Sequence, residues 1–230
     1  MKNLVSYISV ILCIALIVLW QIFSDLKSYY LASIGVLVLS MIPVFLSFER
    51  SKPSAKQLAL TASLIGIAVA SRAVFYLVPQ FKPIGAVVVL AGVCLGAKRG
   101  YLVGALSAFL SNFIFGQGMW TPFQMVGLGL VGFLAGLIFS KVKPRGITLA
   151  VVGFVLSFVV YSLVVDFNSV MMLATDYTIK SIVAIYVAGA PFNLTFGVCT
   201  FIFLLLLGEP FVNKTNRIIE KYGILEGENG

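Results

Sequence analysis

The chain has 230 residues, of which 60% are apolar and only 10% charged, against roughly 25% charged in an ordinary soluble domain. Its mean hydropathy is +1.09, more apolar surface than a soluble fold of this length can hide, so the expected solvent is a bilayer. Sixteen Lys and Arg against eight Asp and Glu give a net charge of +8. The basic residues fall in twos and threes between apolar runs, as the positive-inside rule requires, and no nucleic-acid partner is expected.

Eight spans are predicted, making the chain an all-α integral membrane protein. The first two, at 3–23 and 29–48, form an N-terminal pair, residues 1–48. Lys2 before an apolar run resembles a signal peptide, but the run is longer than a usual h-region and a second span follows at once, so a retained helix is expected. A basic cytoplasmic linker at 49–56 separates this pair from a six-helix core at 57–207. The core spans are placed at 57–78, 84–97, 101–115, 123–140, 146–165 and 179–207. Only Lys98-Arg99-Gly100 separates the second and third of these, which predicts a tight helical hairpin. The last contains Pro191, where a kink or break is expected. A polar cytoplasmic tail at 208–230 holds one short helix near 213–222.

Orientation follows from charge. With the N-terminus inside, the inner segments hold twelve basic residues and the outer ones only Lys27, Lys82 and Lys180; both termini are therefore expected in the cytoplasm.

The outer loops of the core then collect the recognition chemistry: Pro79-Gln80-Phe81-Lys82-Pro83, the segment from Gly116 to Pro122 with Gln117 and Trp120, and 166–178 with Asp166 and Asn168. Amides, aromatics and flanking charges suit a pocket for a small solute open to the outside. An aromatic belt with snorkelling lysine would use Tyr76, Trp120 and Lys82 equally well. Arg72 lies inside a span, where a central Arg costs roughly 2.5–3.5 kcal/mol, so it is expected to face protein or water; it either snorkels or lines the pocket floor, with Asp166 its most obvious acidic partner. Asn112, Gln124 and Asn193 need partners in hydrocarbon, with helix–helix bonding the commoner explanation. Asn193 follows Gly189-Ala190-Pro191, where a broken helix would favour a ligand role.

Small residues form stripes: Ala62, Gly66 and Ala70; Gly100, Gly104 and Ala108; Gly132 and Gly136. Such faces let helix backbones approach closely, inside the chain or against a partner. Gly127, Gly129 and Gly132 spell GxGxxG, but in an apolar span and without the preceding strand of a dinucleotide site. No Walker A sequence is present; if transport is powered by ATP, another subunit must hydrolyse it. Histidine is absent, which excludes Ser-His and Cys-His triads and histidine-ligated metals. Cys13, Cys94 and Cys199 lie in separate apolar runs and are expected as small buried hydrophobes, with no disulfide, metal or bound cofactor.

The segments KQLALTASLIGIAVA, PQFKPIGAVVVLAGVCLGAKRGYLVGALSAFLSN and FGQGMWTPFQMVGLGLVGFLAG resemble the substrate-binding (S) components of energy-coupling factor transporters, prokaryotic importers of vitamins in the cell membrane. The resemblance implies a binding subunit that is not an enzyme. It would take substrate from outside, dock on a membrane coupling subunit through Ala62, Gly66 and Ala70, and be driven by two cytoplasmic ATPase subunits. The two loop segments look most like the branch for cobalamin and related corrinoids, with another small vitamin or a queuosine-type base as alternatives. The two N-terminal spans depart from the family's six-helix pattern. A membrane scaffold or sensor with an S-component-like fold is the alternative of a different class.

Overall fold

The computed structural model describes residues 53–174 and 178–224, and Ser54–Gly230 forms one compact unit. The predicted N-terminal spans and Cys13 lie outside the described residues. The described residues are helical, with no strand: α1 Ala55–Val74, α2 Ile84–Leu95, α3 Ala97–Phe115, α4 Thr121–Phe139, α5 Gly146–Leu173, α6 Ile179–Phe203 and α7 Glu209–Tyr222. A π-helical stretch, Leu156–Tyr161, lies within α5, and a second, Leu204–Gly208, joins α6 to α7.

The start of α1 is set by a capping box. Ser54 Oγ accepts from the Gln57 backbone N–H at 3.3 Å and Gln57 Oε1 accepts from the Ser54 N–H at 3.2 Å, which satisfies two of the donors a helix N-terminus leaves open. The helix therefore begins at Ala55, ahead of the apolar run that predicted 57. It ends at Val74 instead of 78, because Lys82 Nζ donates to the carbonyls of Phe75 and Tyr76, a cation at the negative end of the helix.

The hairpin between α2 and α3 turns at Gly96 alone, with φ +82°, a backbone region that costs glycine nothing. Lys98, Arg99 and Gly100 are already helical, so the predicted connector is the first turn of α3. Eleven of the twelve residues of α2 are buried, and it packs against α1, α3, α4 and α6. At about 1.5 Å per residue it spans ~18 Å, short of a ~30 Å hydrocarbon core. It is a central helix sheathed by protein.

Around it the glycine stripes set the spacing. A Cβ on Gly92 would lie 2.2 Å from the Gly132 carbonyl oxygen, one on Gly104 2.2 Å from that of Leu128, and one on Gly132 2.2 Å from that of Gly100. The α2, α3 and α4 backbones thus touch directly. Within the GxGxxG run, Gly127 admits the Tyr161 ring and Gly129 the Tyr101 ring, so the motif is a packing surface.

Two later elements differ from expectation. The fifth core span continues to Leu173, because the apolar run Val170–Leu173 extends the helix; Asp166 and Asn168 are buried helical residues and not part of an outer loop. The last helix runs through Pro191 without a break and continues to Tyr222, so the tail helix begins at Glu209 and not near 213.

Among the described residues, four helices are long and apolar enough to cross a membrane: Ala55–Val74, Thr121–Phe139, Gly146–Leu173 and Ile179–Tyr222. Their outer faces carry exposed Ile67, Leu137, Val151, Leu163, Val187 and Leu206, an apolar surface that belongs against lipid. The protein is a multi-pass helical membrane protein.

Candidate functional site

A cavity of about 380 Å³ opens at one end of the bundle, where α1 ends, α2 begins, α3 ends and α4 begins. Its lining includes Arg72, Tyr76, Gln80, Lys82 and Gln124, all predicted, together with Ile84, Phe115, Leu128, Tyr161 and Phe196. The basic segments with Lys98 and Arg99 and with Lys141, Lys143 and Arg145 lie at the opposite helix ends. Lys56, whose Nζ donates to the Tyr222 carbonyl at 3.0 Å, joins α7 to that opposite end.

Arg72 is the floor of the site. Its Nη1 donates to Ser111 Oγ at 2.5 Å and to Asn112 Oδ1 at 2.8 Å, and its Cζ sits 4.3 Å from the centroid of the Phe115 ring. These partners are all neutral, and the expected pairing with Asp166 does not form. Asp166 Oδ2 instead accepts from Asn193 Nδ2 at 2.6 Å. With the helix unbroken at Pro191, Asn193 acts as a bond between α5 and α6.

Asn112, fully buried, is the hub. Its Nδ2 donates to Thr121 Oγ1 at 3.0 Å and to Gln124 Oε1 at 2.9 Å, so one side chain of α3 ties α1 to α4. Thr121 Oγ1 donates onward to Gln117 Oε1 at 2.9 Å, and Gln117 Nε2 donates to the Phe109 carbonyl at 3.0 Å. Gln117 therefore closes the α3–α4 turn and does not line the cavity.

The loop above holds Gln80 at φ +55°, the one described non-glycine residue in the left-handed region; that conformation costs about 1–2 kcal/mol for a residue with a Cβ. A hydrogen bond from the Phe81 N–H to the Pro79 carbonyl, 2.7 Å, and the Lys82 clamp on α1 hold it there. Lys82 Nζ lies 5.2 Å from the Phe115 centroid. Burial first, and the Arg72 charge second, hold its ammonium below the usual lysine range.

The other predicted residues take structural places. Phe81 packs on Phe75 and Phe203, with centroids 5.5 and 6.3 Å away. Trp120 is the N-cap residue of α4, its ring folded onto Gly118. Asn168 donates to the Met172 sulfur at 3.6 Å. Cys94 and Cys199 are buried free thiols, and no cluster of metal-ligating side chains occurs among the described residues. Sequence reasoning missed Phe115, Tyr161 and Phe196. Tyr161 closes the π-helical stretch of α5, a feature frequent at functional sites, but nothing in the sequence marks that stretch.

On α1, Ala62, Gly66 and Ala70 are all exposed, and a Cβ on Gly66 would meet nothing within 4 Å. This stripe is unused by packing among the described residues, unlike those of α3 and α4.

Residues 52–216 match the model of DUF6580, a family of unknown function, and the chain belongs to that family. No curated protein and no solved structure matches the chain.

Proposed function

We propose that this DUF6580 member is the substrate-binding subunit of an importer of the energy-coupling factor type. It captures a small solute from outside and delivers it to the cytoplasm when docked on a membrane coupling subunit that two ATPase subunits drive. One observation carries the reading: the cavity gathers Arg72, Tyr76, Gln80, Lys82 and Gln124 at the bundle end remote from the basic segments. The positive-inside rule supports an outward-facing cavity, and with it the reading that both termini are cytoplasmic in a prokaryotic cell. A scaffold has no need of an open, polar-floored cavity behind a strained loop.

The ligand of this reading is of small-vitamin size. A volume of about 380 Å³ falls at the low end of the roughly 300–1,000 Å³ usual for ligand pockets, and a corrinoid with its side arms is far larger. The small-vitamin alternative therefore takes precedence over cobalamin. Docking falls to Ala62, Gly66 and Ala70, whose open face admits a close helix–helix approach. ATP is hydrolysed by the partners, and this chain binds and carries.

Native mass spectrometry of protein purified from cells fed a vitamin mixture including cobalamin tests this. A small adduct is expected. A corrinoid-sized adduct would restore the larger ligand, and repeated absence of any adduct would move the chain to the scaffold class.

A further inference from the structure

The hydrogen-bond directions at the cavity floor run one way, from Arg72 through Asn112 to Gln124. Arginine has only donors, so Asn112 must turn its oxygen to Arg72 and its NH2 to α4. Gln124 must then give its oxygen to Asn112, which leaves its own NH2 toward the cavity it lines. Ser111 is turned the same way: it accepts from Arg72 and donates to the Ala108 carbonyl at 3.0 Å. The oxygens of the network are therefore spent inward. Within this network, what remains without a protein partner among the described residues is the Nε and Nη2 edge of Arg72 and the Gln124 NH2, beside the Lys82 charge; the Gln80 amide and the Tyr76 and Tyr161 hydroxyls also line the cavity. No carboxylate lines the cavity among the described residues.

The free Arg72 edge carries two roughly parallel N–H groups, the fork that receives an oxyanion side-on. Phe115, Tyr161, Phe196, Ile84 and Leu128 supply flat, apolar walls. We infer that the solute of this site is a small anion: one oxyanion seated on Arg72 and Gln124 under Lys82, with an aromatic or flat apolar body between the rings. The inference rests on the solute-binding reading above and adds the substrate class. It also gives Arg72 a reason to lie in a span without a carboxylate, since the ligand would supply the missing charge.

The test is calorimetric titration of the full chain in nanodiscs, against empty discs, with benzoate, phenylacetate and phenyl phosphate and their neutral counterparts benzamide, phenylacetamide and phenol. At least one anion should bind at least tenfold more tightly than its counterpart, with the carboxylate and phosphate arms identifying the preferred oxyanion. Arg72→Gln should remove that preference, and Gln124→Glu should abolish anion binding while its carboxylate still accepts from Asn112. Thermal unfolding of each variant separates lost binding from lost fold, and Arg72→Lys, which keeps charge without the fork, should retain a reduced preference. Neutral compounds binding as well as the anions would overturn the anion assignment and leave a solute-binding subunit. No binding by any of the six would overturn both.

Discussion

Asn112 accepts a hydrogen bond from Arg72 at 2.8 Å while donating to Gln124 at 2.9 Å, so the amide of α3 passes the donor character of α1 on to α4. A buried polar group of this kind is stabilising only while every partner is present. Asn112→Leu should cost about 1–3 kcal/mol, because Ser111 alone would then accept from Arg72 within the protein. Asn112→Asp keeps the acceptor for Arg72 but cannot donate to Gln124, whose oxygen would then be free to turn to the cavity. It should lose less stability than Asn112→Leu yet weaken anion binding at least tenfold, measured by thermal unfolding and titration in parallel.

The glycine stripes should respond in opposite directions. Gly104→Ala places a methyl group 2.2 Å from the Leu128 carbonyl oxygen and should destabilise by about 1–3 kcal/mol, as overpacking does. Gly66→Ala meets open space and should stabilise α1 by about 0.5–1 kcal/mol. The pair Ala62→Trp and Gly66→Trp should abolish co-purification of partner subunits without changing solute affinity. Unchanged co-purification would remove that face from the docking assignment.

Gln80 separates strain from recognition. Gln80→Gly relieves the left-handed backbone and should leave stability equal or higher, yet lower solute affinity by losing the side chain that lines the cavity. Equal affinity would reduce Gln80 to a turn residue.

Lys82 gives a pH signature. Its ammonium loses the proton at a lower pH than a free lysine, through burial and the Arg72 charge. Anion binding should therefore weaken on the alkaline side below the usual lysine range, and Lys82→Met should remove that dependence along with part of the affinity. For folding the sign is opposite: the unfolded chain holds this proton more tightly, so the residue's contribution to stability rises with pH between the two pKa values.

Much of the helical plan is legible in hydropathy, and the loop that borders the cavity in its Pro-Gln-Phe-Lys-Pro spelling. What escaped are features made by contact across the bundle. Asn112 reads as helix–helix bonding, which it is, but its direction of bonding is fixed only once Arg72 is seen on it. Asp166 looks like the partner of Arg72 because charge is counted in sequence; the helix continues past it, and Asn193 takes its carboxylate. Trp120 reads equally as a pocket residue or an aromatic-belt ring; its ring is folded onto Gly118, so Trp120→Ala should leave affinity unchanged. Phe115 and Phe196 are two of nineteen phenylalanines, and nothing in the spacing of the rings distinguishes a wall from a lipid contact.

The most direct measurement is an electron cryomicroscopy structure of the full chain with its co-purified solute. The account predicts density in the cavity bounded by Arg72, Gln80 and Gln124, with the anionic end on the Arg72 edge and the body against Phe115 and Tyr161. An empty cavity, with the solute elsewhere such as on the Asp166–Asn193 pair, would contradict it.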